Sequence, residues 1–274
     1  MKLDLFRPDD IVSFLHLATS ENWVAESWEF EFLLANFPQG CFVARLETGD
    51  PVGYVTALRH DHSGWIGNLI VAGDVRGQGI GEQLFVRALD ALRSDGVETI
   101  WLTASKDGQK LYEKHGFKRI DTILRWVGSG RHNNAPHNMA LSNGFQDMVV
   151  NDIDGLAWGD RRDALMSVTV NRGRILRNDA GFAVIQPCGD ASQLGPFTAL
   201  DSGTADRLLG EALWAVSAGS KLYLDSPVSN KAAQRMFTRN KLKIGGTTEL
   251  MYVGRRPEYR PELLYGLATM GSCG

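Results

Sequence analysis

Residues 68–85 read NLIVAGDVRGQGIGEQLF. An apolar run, Leu69, Ile70 and Val71, gives way to Arg76, Gly77, Gln78, Gly79, Ile80 and Gly81. An amphipathic stretch follows, with Leu84, Phe85, Ala88, Leu89 and Leu92 at helical spacing. The pattern predicts a strand, a tight loop and a helix running to about residue 94. Glycines permit left-handed backbone and leave no side chains in the way of a bulky anion. The start of a helix adds free N–H groups and the positive end of its dipole, a combination that holds phosphate oxygens. Arg76 can add charge-assisted bonds. A nucleotide P-loop is excluded, because no Gly-Lys-Ser/Thr is present. A dinucleotide fingerprint requires its first glycine directly after the first strand of a βαβ unit, and here antiparallel-looking strands come first. A flexible turn with a helix cap is the plain alternative.

Working outward, the upstream chain predicts a strand at 3–6, a helix at 10–18 and a second helix at 26–36. Phe37-Pro38-Gln39-Gly40 stops the second helix. Strands at 41–46 and 52–58 flank a Gly-Asp-Pro turn, and a third strand covers 65–71. Downstream come a strand at 100–103, a helix at 108–115 closed by Gly116, and a strand at 120–127. Residues 128–144, GSGRHNNAPHNMALSNG, are rich in Gly, Asn and His and lack periodicity, as a linker does. The predicted division is 1–127, a linker at 128–147, and 148–274. His132 and His137 match no standard metal spacing, so no metal is expected.

The second half predicts a helix at 158–171, strands at 173–177, 181–186 and 195–199, and a helix at 204–217. A strand at 221–224, a helix at 230–239 and a strand at 249–253 complete it. That order repeats the first half. LYEKHGFKR at 111–119 matches MFTRNKLK at 236–243, shifted by 125 residues, and GEQLFVRAL at 81–89 matches ADRLLGEAL at 205–213, shifted by 124. The expectation is two copies of one α/β (α+β) fold, each a mixed, largely antiparallel sheet flanked by helices.

The chain of 274 residues is 43% hydrophobic and 22% charged, values of a globular protein with room for two domains. A net charge of −3 gives no field to recruit nucleic acid or anionic lipid. The three cysteines, Cys41, Cys188 and Cys273, fit neither a disulfide framework nor a metal spacing. With no apolar leader at the start and no run long enough to span a bilayer, the expected location is the cytoplasm, and no membrane partner is expected.

Residues 76–81 match the Arg-x-x-Gly-x-Gly pattern of the GNAT superfamily of N-acetyltransferases, with Ile70 and Val71 at the usual distance before it. Leu111-Tyr112-Glu113-Lys114-His115-Gly116-Phe117 matches that family's second signature. The first half, over residues 3–127, therefore resembles a GNAT domain. The second half resembles, more weakly, the C-terminal domain of tandem GNAT proteins, through Gly159-Asp160-Arg161 and Leu264-Tyr265-Gly266-Leu267-Ala268.

The resemblance implies an acetyl-CoA-dependent N-acetyltransferase without a metal. Its central strand splays from a neighbour, and acetyl-CoA lies in the gap. Backbone groups at Ile70 and Val71 would pair with the pantetheine arm, and Gly77, Gln78, Gly79, Ile80 and Gly81, with Arg76, would hold the pyrophosphate. Tyr112 takes the position of the family's acid for the leaving thiolate, or else only packs on the cofactor. Ser105 stands where the family often has a cofactor-bonding asparagine.

The base is open. The central strand carries no carboxylate; Asn68 cannot take a proton; His60, Asp61, His62, Glu26 and Glu29 are the neighbours by topology, beside ordered water, and Glu26 is the named candidate. The second half lacks the loop. Phe237 replaces the tyrosine and cannot give a proton, Lys241 replaces the turn glycine, and Asn230 keeps the asparagine, so no cofactor site is expected there. The expected acceptor is a primary amine of a small molecule, with the protein a monomer or homodimer. The rivals are a non-catalytic acyl-CoA sensor and a protein or peptide N-acetyltransferase. Trp23, Trp28, Trp65 and Trp158 either line an interdomain cleft or pack in cores.

Overall fold

A computed structural model of the protein describes residues 1–131 and 148–274. The first half runs β1 (Lys2–Leu5), α1 (Ile11–Ser20), α2 (Ser27–Asn36), β2 (Phe42–Arg45), β3 (Pro51–Arg59), β4 (Ser63–Val71), α3 (Ile80–Ser94), β5 (Thr99–Ala104), α4 (Gln109–Lys114) and β6 (Lys118–Ser129). The second half runs α5 (Met148–Trp158), α6 (Asp163–Arg172), β7 (Arg174–Asn178), β8 (Gly181–Cys188), β9 (Ala191–Ala199), α7 (Ser202–Ala215), β10 (Lys221–Pro227), α8 (Lys231–Arg239), β11 (Lys243–Gly254) and β12 (Leu264–Gly266). The repeat read from the sequence is a repeat of elements, α3 answering to α7 and α4 to α8.

The architecture is mixed and largely antiparallel, as expected, but the sheet is continuous through both halves. Its order is β1-β2-β3-β4-β5-β11-β6-β10-β9-β8-β7, with β12 paired to β9. Two of the strand pairs, β4–β5 and β9–β10, are parallel. The halves exchange strands. β11 from the second half lies between β5 and β6, and β6 from the first half pairs with β10. The expected division at residues 127 and 148 is therefore not a division of the sheet.

The helix predicted at 158–171 is α6, which starts later, at Asp163, and an unpredicted helix, α5, precedes it up to Trp158. The break is at Gly159, whose φ of +71° is left-handed and whose Cβ position would lie 2.9 Å from the backbone nitrogen of Glu258. The strand predicted at 120–127 continues to Ser129, and Gly130 bridges to Ala218, so the first residues of the predicted linker belong to the sheet. The rest of that linker, with His132 and His137, lies outside the described residues.

The packing follows the periodicity. Ile80, Leu84, Phe85, Ala88, Leu89 and Leu92 of α3 are buried against β3 and β4. On the opposite face Phe6, Phe14, Phe30 and Tyr54 form an aromatic cluster, with Phe14 and Phe30 at 4.2 Å between centroids. A third cluster joins the halves: Trp158 meets Trp65 edge-on at 6.0 Å and Trp101 at 5.6 Å. There Arg162 lies over the Trp158 ring at 4.3 Å and forms a buried two-pronged pair with Asp154, at 2.7 and 2.9 Å. Trp65 and Trp158 are thus core residues of the seam, while Trp28 stacks under Arg172 at 3.8 Å and Trp23 is exposed. All three cysteines are free and buried.

Candidate active site

β4 and β5 pair only at their starts, where Ser63, Gly64 and Trp65 face Thr99, Ile100 and Trp101. Beyond Trp65 the two strands part, and one edge of β4 from Ile66 to Val71 faces the gap. The predicted glycine loop closes the far end of that gap. Gly77 and Gly79 have φ near +80°, and nothing lies within 4 Å of a Cβ built on either. Gly79 is the N-cap of α3 and has no side chain to satisfy the first N–H groups of the helix. Ile80 points into the core and Gly81 lies beside Val71. The loop is therefore an open cradle of backbone donors. Arg76 does not stand free over it: its Nε donates to the Val71 carbonyl at 2.8 Å, and it pairs with Glu21.

Tyr112 sits on α4 at the opposite wall. It is 8% exposed and packs on Phe85 and Phe117. Its hydroxyl and the Ser105 hydroxyl lie equally near Gly108, each 3.5 Å from where a Cβ on that residue would be. Ser105 also accepts a bond from the Gly108 N–H at 3.2 Å. Burial pushes the Tyr112 phenol up to about 12, so it is protonated throughout the neutral range.

β4 is bulged. Tyr54 faces Ile70 and Thr56 faces Gly67, so Val55 alone opposes both Asn68 and Leu69. Asn68 takes the left-handed φ of +54°, which asparagine tolerates better than other non-glycine residues. The bulge turns its amide so that Nδ2 donates to Glu29 Oε1 at 2.9 Å and to Thr56 Oγ1 at 3.1 Å. Glu29, half-buried on α2, is thereby brought to the gap. Desolvation raises its carboxyl above the usual range, and the Asn68 amide and the Ser272 hydroxyl oppose that rise.

Glu26 sits differently. It accepts from Trp28 Nε1 at 2.9 Å, Arg172 Nη2 at 3.2 Å and the Gly189 N–H at 3.2 Å. Three donors, two of them from the second half, occupy both its oxygens; it ties α2 to the second half. Among the other neighbours, Asp61 and His62 lie at the opposite end of β4, where it is still paired with β5. The His60 ring is held down to about 3, first by burial and then by Arg162.

The far side of the gap has a cover that sequence reading did not anticipate. Gly64 faces Leu92 of α3, so Trp65 and Gly67 face the other side of β4, that of α2. There the segment 269–274 crosses from the second half. The Gly271 carbonyl accepts from Trp65 Nε1 at 3.1 Å and Thr103 Oγ1 at 3.3 Å, bridging β4 to β5 where they part. The Ser272 carbonyl lies so close to Gly67 that any Cβ there would collide with it. A concavity of about 780 Å³ beside Asp61 and Asp160 contains none of these residues. Among the described residues no group of His, Cys, Asp and Glu could hold a metal, and no helix is long and apolar enough to cross a membrane.

The sequence model of the acetyltransferase (GNAT) family matches residues 6–117, and that of an acetyltransferase (GNAT) domain matches residues 150–266. The N-alpha-acetyltransferase MAK3 of Arabidopsis thaliana is 31% identical over 108 residues, 37% of this chain and 56% of that protein, so the chain spans about half the length of the curated relative it matches. A candidate acetyltransferase from Pyrococcus horikoshii superposes with a TM-score of 0.85 at 24% identity, over 100% of this chain and 95% of that one. A GCN5-related N-acetyltransferase from Sphaerobacter thermophilus gives 0.65 at 16% identity, over 98% of each chain. These two likenesses show the fold.

Proposed function

The chain belongs to the GNAT acetyltransferase family, matched in both halves, and from that premise we propose that its first half moves acetyl from acetyl-CoA to a primary amine of a small molecule by direct attack. The family uses acetyl-CoA. The gap between β4 and β5 and the open cradle at Gly77–Gly81 support binding of its pantetheine arm and pyrophosphate, with the Ile70 and Val71 backbone along the arm and Ser105 and Tyr112 on the other wall. For Arg76 to reach a phosphate it must exchange Glu21 for the ligand.

In the reaction the amine nitrogen forms a bond to the acetyl carbon as the carbon–sulfur bond breaks. Glu29 takes the proton that the amine loses: it borders the gap beside Asn68, and desolvation raises its carboxyl above the ordinary range. Glu26 is the weaker candidate, because its oxygens already serve three donors. The bulge at Asn68 and Leu69 offers backbone N–H groups out of register with β3, suited to the carbonyl oxygen as charge develops. Tyr112 donates a hydrogen bond to the leaving sulfur. With the phenol at about 12 and a free thiol near 8.5, full proton transfer is uphill, so stabilisation of the thiolate is its better role.

The observation that carries the small-amine reading is the cover over the acceptor face of β4. Residues 269–274 cross it at Gly67, and the Glu26–Arg172–Gly189 contacts join the entrance of α2 to the second half. Such an enclosure disfavours an extended peptide. The curated relative, a protein N-alpha-acetyltransferase by name, favours a peptide amine instead, but its match extends over 108 residues only. Release of free thiol from acetyl-CoA, measured with a panel of small amines beside peptides with free N-termini, separates the readings. Faster release with small amines is expected; turnover with peptides alone overturns the reading, and binding of acetyl-CoA without turnover favours a sensor.

A further inference from the structure

The second half repeats the parting of strands seen in the first. β9 pairs in parallel with β10 only where Ser192 and Gln193 face Leu222 and Tyr223, as β4 pairs with β5 only at its start. In the first half no described strand enters the gap beyond, and residues 269–274 cross it on one side. In the second half it is filled by β12, which pairs antiparallel with β9 at Thr198 and Phe197 and packs on β10. Leu264, Tyr265 and Gly266 are all buried there.

The clamp on this inserted strand is Asn230. It stands 125 residues after Ser105, by the shift that relates the two halves. Each accepts from the N–H three residues on: Ser105 Oγ from Gly108, and Asn230 Oδ1, as the N-cap of α8, from Ala233 at 2.9 Å. Asparagine also has an amide that serine lacks. Its Nδ2 donates to the carbonyls of Leu264 at 2.8 Å and Glu262 at 3.3 Å. From β12 the chain passes toward the first half, held at successive carbonyls. Gln186 Nε2 reaches Ala268 at 2.8 Å, Arg125 Nη2 reaches Met270 at 3.2 Å, and Trp65 and Thr103 reach Gly271. Its Ser272 carbonyl lies over Gly67, next to Asn68, and the Ser272 hydroxyl bonds Glu29.

We propose that residues 264–274 are the acceptor-specificity element of the first half: Asn230 clamps β12 in the second half's gap, and β12 carries residues 269–274 over Gly67 as a wall of the acceptor site. Asn230 is a positioning residue that acts through this strand, and the second half serves the reaction by holding it. The proposal rests on the acetyl-transfer reading above.

Asn230→Asp separates its two bonds. A carboxylate still caps Ala233, so α8 keeps its start, but it turns an acceptor toward the carbonyls of Glu262 and Leu264. Amide hydrogen exchange within residues 264–274 should quicken at least about tenfold. The KM for acetyl-CoA should stay unchanged, while the KM for the preferred small amine rises and peptide amines gain turnover. Gly67→Ala, whose new Cβ meets the Ser272 carbonyl, attacks the same wall from the first half and should shift acceptor preference in the same direction. Unchanged exchange, or faster exchange with the acceptor profile unchanged in both variants, overturns the proposal alone. A wild-type chain that releases no thiol with any amine overturns the acetyl-transfer reading and this proposal together.

Discussion

Asn68, at the bulge of β4, donates its side-chain amide to the carboxylate of Glu29 on α2 at 2.9 Å. The bond joins the central strand to a helix 39 residues earlier in the chain, and it sets a carboxylate beside a strand that has none of its own.

Glu29→Gln keeps an acceptor for Asn68 and removes the base. If Glu29 takes the proton, turnover falls about 10²- to 10⁴-fold, with acetyl-CoA affinity unchanged. The wild-type rate should fall as pH drops through a value above the ordinary glutamate range, since burial raises this carboxyl. Stability moves the other way. A raised folded-state pKa favours the folded protein at low pH, and that contribution is lost as pH rises through it. Glu29→Gln should therefore stabilise the protein at neutral pH and lose that advantage in acid. Denaturant midpoints at pH 4 and pH 7 check the sign; an advantage that grows in acid contradicts it.

Tyr112→Phe deletes one hydroxyl and keeps the ring against Phe85 and Phe117. Turnover should drop about 10- to 10³-fold, or about 1.4–4 kcal/mol, with little change in acetyl-CoA affinity. Full turnover in the variant would leave Tyr112 a packing residue. Phe237→Tyr, its counterpart in the second half, should add no activity, because β12 occupies the gap there.

Gly79→Asp places a carboxylate in the open cradle before α3. Aspartate tolerates the left-handed backbone better than most residues, so the fold should persist. Repulsion of the pyrophosphate is worth about 1–4 kcal/mol at contact distances, or about 5- to 10³-fold in affinity. Calorimetry should show this loss, and should give one acetyl-CoA per wild-type chain; two equal sites would refute the filled second gap.

Asp154→Asn leaves Arg162 buried at the seam without its counter-charge. The pair is nearly inaccessible, with side chains 1% and 3% exposed. Breaking such a pair costs about 3–5 kcal/mol. The urea midpoint should fall accordingly, and a fall of under about 1 kcal/mol would mean that water reaches the guanidinium.

The sequence by itself determined the glycine loop and the elements on either side of it. Glycines at 77 and 79, an apolar strand before them and the α3 stripe are local patterns, and local patterns are set by backbone freedom and helical period. The same is true of the internal repeat and of the lost tyrosine at Phe237. The surroundings of Asn68, from which the acceptor side is proposed, were decided only by tertiary structure. The choice of Glu29 over Glu26 depends on a bulge that puts Asn68 in a left-handed turn, and on donors from Arg172 and Gly189 that lie far along the chain. The exchange of β6 and β11 is equally silent in sequence, because strand pairing is made by backbone groups that every residue shares. In the sequence Asn230 was legible only as the asparagine kept where the first half has Ser105, and residues 264–268 only as a point of resemblance. That one clamps the other in a gap is a relation between distant segments, and no local pattern encodes it.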